Sequence, residues 1–155
     1  MHVAGSITAF VAQWFIVIPA LLVVASVALR KRWKLDGLEA ASAAALTVAL
    51  VKLAAAVRAE PRPFIVEHAH PLVAHAPDNA FPSDHLAACG LAFVYLWTRD
   101  KRMAAVALLA AALIAAARVL AKLHWPVDVA VGFALGSLGA TAARIVSKAQ
   151  ELRAD

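Results

Sequence analysis

The sequence predicts an all-α fold, a polytopic transmembrane helix bundle of about five spans forming a single domain over residues 1–155. Three observations carry that prediction. Apolar residues make up 63% of the chain, well above the roughly half expected of a soluble domain. The apolar residues fall in runs of membrane length, and polar islands interrupt those runs at a few places only.

A helix needs about 20 apolar residues to cross the hydrocarbon core. Residues 7–29 supply the first span. The run is too long for a signal peptide and lacks a basic leader, so it reads as a span and not a cleaved segment. Residues 38–57 supply the second, 103–123 the fourth and 127–146 the fifth. The third, 83–98, is shorter, and is expected to start below the membrane surface or at the floor of a cavity. Cys89, the single cysteine, lies in that third run and reads as a small packing residue. Gly132 and Gly136 have the spacing that lets helices approach closely. That spacing serves packing within one chain or a seam between copies, so a homo-oligomer stays open.

Orientation follows from the basic residues. Arg30, Lys31, Arg32 and Lys34 follow the first span; Arg99, Lys101 and Arg102 follow the third; Arg144, Lys148 and Arg153 follow the fifth. All three groups fall on one side of a five-span chain, which the positive-inside rule makes cytoplasmic. Residues 1–6 carry no lysine or arginine and belong outside. Basic residues gathered at span ends, not in one stripe, exclude nucleic acid as the expected partner.

The polar islands then all lie at the outer face. They are Arg62-Pro63, Pro82-Ser83-Asp84-His85, and Arg118 with His124 and Asp128. Ionisable residues at membrane depth are costly, which makes them functional candidates. Pro126 suits the first position of the fifth helix, putting His124 just before it and Asp128 in its first turn. A carboxylate near an imidazole can orient it and stabilise its cation, as an activated histidine nucleophile requires. The plainer reading is that Asp128 merely favours the positive helix end. Arg118 offers a planar fork for phosphate, or a snorkelling cation, for which Lys122 is the better candidate. Ser83 is placed as an N-cap, with an anion site in the amides after it. His85, in the same turn, can donate a proton. Prolines on both sides of Arg62 hold it at the outer surface. His68, His70 and His75, with Asp78 or Glu67, match no strong zinc spacing.

Together the islands resemble the three-part signature of the type 2 phosphatidic acid phosphatase superfamily. Its second motif, Pro-Ser-Gly-His, is Pro82-Ser83-Asp84-His85 here. Its third, an arginine, five residues, a histidine, three residues and an aspartate, is matched by Arg118, His124 and Asp128, with Ala117 where a serine usually precedes the arginine. Its first ends in Arg-Pro, here Arg62-Pro63. The family's lysine stands nearer the arginine, where this chain has Ala55; Lys52 is carried over from one turn deeper. Asp84 in place of the motif glycine, with Pro61-Arg62-Pro63-Phe64 and His75-Ala76-Pro77-Asp78, is most similar to the bacitracin-resistance-type undecaprenyl pyrophosphate phosphatases of bacteria. Many relatives have six spans where this chain shows five.

The resemblance implies a metal-independent phosphatase of the bacterial plasma membrane, without cofactor, its site facing the periplasm or outside. It implies His124 as nucleophile, Asp128 as its orienting partner and His85 as proton donor. Arg62, Arg118, Ser83, Asp84 and Lys52 are implied around the phosphate. The expected substrate is undecaprenyl pyrophosphate, a polyprenyl pyrophosphate presented by the lipid bilayer, whose hydrolysis recycles the carrier lipid for cell-wall synthesis. Two other readings stay open: the same chemistry on phosphatidylglycerol phosphate, phosphatidate or diacylglycerol pyrophosphate, and a phospholipid carrier without catalysis.

Overall fold

The computed structural model describes residues 3–154 of the chain, so Met1, His2 and Asp155 lie outside it. It is an all-α bundle. The helices are α1 (Val3–Trp14), α2 (Val17–Ala28), α3 (Trp33–Val57), α4 (Pro63–Val66), α5 (Asp84–Trp97), α6 (Lys101–Leu120) and α7 (Pro126–Ala154). Four stretches are long and apolar enough to cross a membrane: Ala4–Ala28, Trp33–Val57, Lys101–Leu120 and Pro126–Arg153. The fifth expected span is the short α5, whose 14 residues reach about 21 Å at 1.5 Å per residue.

The predicted first span is broken into α1 and α2. The cause is Pro19, which has no amide hydrogen and whose ring clashes with the carbonyl four residues back. That carbonyl, on Phe15, instead takes the amide of Ile18 at 3.0 Å. The second span begins earlier than the apolar run suggested, because Asp36 and Glu39 enter the helix buried in ion pairs. The last helix continues past residue 146 as a polar tail, where Glu151 meets Arg32.

α5 is the central helix and packs on α7, α6, α2 and α3. Its seam with α7 is made by glycines. A Cβ on Gly136 would collide with the carbonyl of Ala87, one on Gly90 with the carbonyl of Phe133, and one on Gly132 with the backbone of Ser83. The Gly132/Gly136 spacing therefore serves packing within the chain. Cys89 is fully buried in this core. Exposed large apolar residues on other helices, Leu21, Val24, Leu53, Leu109 and Ile145 among them, form the surface offered to lipid.

Candidate active site

The close α5–α7 seam brings the second and third islands together. The amide of Ser83 donates to the carbonyl of Asp128 at 3.0 Å, tying the start of α5 to the first turn of α7. Between α6 and α7 the chain turns sharply, with Lys122 at φ 59 in the left-handed region. Its carbonyl accepts the Phe64 amide, which anchors α4, and with it Arg62, to the same turn.

His124 sits on this turn, 3% exposed. Its Nδ1 lies 2.8 Å from the carbonyl oxygen of Ala80, which can only accept, so Nδ1 carries the proton. Its Nε2 lies 3.0 Å from Arg118 Nη2, which can only donate, so Nε2 presents its lone pair. Burial above all, and then the positive charges of Arg118 and Arg62, hold the imidazole down at about pKa 3, despite the Ala80 carbonyl, which favours its cation. The histidine is therefore neutral, and its unprotonated Nε2 turns its electron pair towards Arg118.

Asp128 is fully buried. Its Oδ2 accepts the Trp125 amide at 2.8 Å and lies 3.7 Å from His124 Nδ1. The helix-end role and the imidazole-facing role, alternatives in the sequence, coexist in one side chain. Contact with the ring is electrostatic, and the hydrogen bond that fixes the ring comes from Ala80. The other carboxylate oxygen, Oδ1, is buried without a partner.

Arg118 is 4% exposed. Its Nη1 donates to the carbonyl of Ala12 at 3.0 Å, and its Nε has no partner. The Ala12 carbonyl would serve residue 16 in an unbroken helix; the break between α1 and α2 leaves it for Arg118. Among the described residues no carboxylate lies within ion-pair distance of Arg118. It does not snorkel, whereas Lys122 pairs with Glu67.

Arg62 is not a solvated loop charge. It is 5% exposed and donates to Asp78 Oδ1 at 2.8 Å, to the Leu123 carbonyl at 2.8 Å and to the Asn79 carbonyl at 3.2 Å. Its guanidinium holds the Asp78 carboxyl below the usual carboxylate range. Ser83 occupies the N-cap position of α5, but its hydroxyl caps nothing and is buried without a partner. His85 is half-buried in the first turn of α5. Lys52 and Asp84 face a groove of about 310 Å³ between α3 and α5, continued by Thr47, Val51, Ala87 and Leu91. Arg118 and His124 do not line that groove. Among the described residues no three His, Cys, Asp or Glu side chains converge as metal ligands.

Sequence reasoning missed three contributors: the carbonyls of Ala80 and Ala12, which carry no side-chain signal, and Asp78, whose partner is 16 residues away. It also missed a second ionic cluster at the opposite end. There Arg99 meets Asp36 at 3.2 Å and Glu39 at 3.0 Å, Arg30 meets Asp36 at 2.9 Å, and Arg144 meets Glu39 at 3.0 Å. Two carboxylates, Asp36 and Glu39, at the head of an apolar run were the available signal.

Comparison with known proteins places the chain in a family. The sequence profile of the PAP2 superfamily matches residues 36–151. The chain is 34% identical over 94 residues to "Putative undecaprenyl-diphosphatase YbjG" of Escherichia coli (strain K12), covering 57% of this chain and 45% of that protein. It is 34% identical over 79 residues to undecaprenyl-diphosphatase BcrC of Bacillus subtilis (strain 168), covering 51% and 38%. The chain thus spans less than half the length of either curated relative. The crystal structure of Aquifex aeolicus LpxE superposes with a TM-score of 0.69 at 26% identity, covering 91% of this chain and 83% of that one.

Proposed function

The chain belongs to the PAP2 superfamily, and on that premise we propose that it is a membrane lipid phosphatase acting on undecaprenyl pyrophosphate through a phosphohistidine. The observation that carries the proposal is Arg118. A buried guanidinium with one unpaired N–H and, among the described residues, no carboxylate at ion-pair distance is costly unless an anion joins it. It donates to the unprotonated Nε2 of His124, whose electron pair an arriving phosphate would take over as the guanidinium turns to the anion. A phosphate seated there completes the arginine and meets the nucleophile together.

In the proposed reaction His124 Nε2 attacks the terminal phosphorus. The Nε2–P bond forms as the P–O bond to undecaprenyl phosphate breaks, and His85 gives its proton to the departing oxygen. Water then attacks the phosphohistidine, His85 takes a proton from it, and inorganic phosphate leaves with Nε2 restored. Asp128, close to Nδ1, stabilises the positive ring of the intermediate. Arg118, Arg62 and the unpartnered Ser83 hydroxyl spread the charge of the phosphoryl oxygens, the main requirement of phosphoryl transfer. Asp84 and Lys52 stand at the head of the groove beside α5, on the lipid side. No step calls for a metal ion.

The similarity to proteins named as undecaprenyl-diphosphatases supports the choice of lipid. The end of the bundle rich in arginine and lysine supports a cytoplasmic placement for that end, with the site at the outer face of the plasma membrane.

The test is phosphate release from a panel of undecaprenyl pyrophosphate, phosphatidylglycerol phosphate and phosphatidate by the detergent-purified protein with excess chelator. Release from the first, fastest of the three, is expected. Preference for another lipid would overturn the substrate, and loss of activity in chelator would overturn metal independence.

A further inference from the structure

Resting on the phosphatase reading, we infer that Asn79 is a positioning residue that sets both the tautomer of His124 and the seat of Arg62. An amide side chain has two lone pairs on oxygen and two N–H donors. Asn79 engages all four. Its Oδ1 accepts the Glu60 amide at 2.9 Å and the Phe81 amide at 3.0 Å. Its Nδ2 donates to the carbonyls of Arg58 at 3.1 Å and Ala55 at 3.4 Å. Those carbonyls belong to the end of α3, where no further helical amide is available to them.

The side chain thus staples three pieces of chain: the end of α3, the strand-like segment at Glu60 and Pro61, and the approach to α5. An isolated antiparallel bridge pairs Pro61 with Asn79, and the Ala80 amide adds a bond to the Glu60 carbonyl at 2.9 Å.

The stapled residues aim two backbone carbonyls at the site. The Asn79 carbonyl accepts from Arg62 Nη2 at 3.2 Å. The Ala80 carbonyl accepts from His124 Nδ1 at 2.8 Å. A neutral imidazole can hold its proton on either nitrogen, and only the Nδ1–H form leaves Nε2 free to attack. Asp128 at 3.7 Å is beyond hydrogen-bond distance, so the Ala80 carbonyl at Nδ1 selects the tautomer together with the Arg118 donor at Nε2, and Asn79 fixes the Ala80 carbonyl. Aspartate in its place would keep the two acceptor bonds, lose both donors and set a charge against the α3 carbonyls.

The experiment uses the full chain carrying Asn79→Ala or Asn79→Asp. It measures kcat and KM for phosphate release from undecaprenyl pyrophosphate, and the 15N shifts of labelled histidine rings, with His124→Gln identifying the His124 signals. A kcat loss on the order of 10²-fold, the scale of an ångström-sized misplacement, is expected with a smaller change in KM. The His124 ring should pass from a single Nδ1–H form to a mixture. Folded variants with unchanged kcat and an unchanged ring form would overturn the inference. If Asn79→Ala fails to fold, Asn79→Asp, which keeps both acceptor bonds, decides it. If the wild-type chain releases phosphate from no lipid, the phosphatase reading fails, and the ring form alone then supports or overturns the role of Asn79.

Discussion

At the end of the bundle where α3 begins, Arg99 is buried against Asp36 and Glu39, with Arg30 and Arg144 closing the network. At the other end Arg118 is as deeply buried, yet it meets only a carbonyl and an imidazole. The first cluster balances its buried charges without a ligand, although Arg99 Nε has no partner, and it joins α3, α5 and α7. The second holds a cation with no carboxylate at ion-pair distance among the described residues, two unpartnered buried oxygens on Ser83 and Asp128, and an unprotonated Nε2 on His124. Burial of charge alone does not mark a site. Burial of charge left without its counter-ion does.

The largest effect that sharpens this contrast is on turnover. His124→Ala should lower kcat by about 10⁴-fold or more, the scale on which removal of a nucleophile acts, with thermal unfolding in detergent little changed. Near-normal kcat would remove the chemistry from this end.

Stability should separate the clusters in the opposite sense. Arg99→Leu leaves two buried carboxylates short of a partner and should cost on the order of 3 kcal/mol, read as a lower unfolding temperature. Arg118→Leu removes an uncompensated cation and should leave that temperature unchanged or raise it, while phosphate release falls by about 10²- to 10³-fold. Equal destabilisation by both would show that the two arginines serve the same structural purpose.

The pH response is the next in size. The imidazole of His124 is held well below the ordinary histidine value of 6.5, at about 3, by burial and then by Arg118 and Arg62. Its folded pKa is depressed, so the unfolded chain binds the proton first as pH falls. This group's contribution to stability is present above about pH 6.5 and is lost as pH drops from there towards 3. The acid limb of kcat/KM that reports the free nucleophile should lie below 6.5. An acid limb at or above 6.5 that His124 causes would contradict the buried, cation-flanked setting.

The smallest effect concerns Arg62. Asp78 is an exposed partner, and exposed ion pairs contribute up to about 1 kcal/mol, so Asp78→Asn should change KM by no more than about fivefold. Its own carboxyl is held below the usual range by Arg62, so the pair persists through mildly acidic pH.

Much of this was legible before the structure. The apolar runs located every long helix, because length and hydropathy are imposed by the bilayer. The sequence placed Arg118 near the end of one helix, His124 just before the next and Asp128 in its first turn, because a helix end and a proline fix local geometry within a few residues. The break between α1 and α2 at Pro19 was not read from the sequence, because hydropathy runs straight through it. What stayed hidden depends on distant backbone. The carbonyls of Ala12 and Ala80 belong to alanines with no side-chain signature, and they reach the site only through the packing of α1 on α6 and the staple at Asn79. Lys52 was legible as a lysine near the outer face, but only the fold shows that it lines a groove with Asp84.

The central claim, that His124 Nε2 forms the bond to phosphorus, is tested most directly by rapid acid-free quenching of the purified protein with undecaprenyl pyrophosphate labelled at its terminal phosphorus. The account predicts a protein-bound label that survives alkali, is lost in acid, maps to the peptide containing His124 and is absent from His124→Ala. Phosphate release with no such label at any quench time, or a label on another residue, would contradict it.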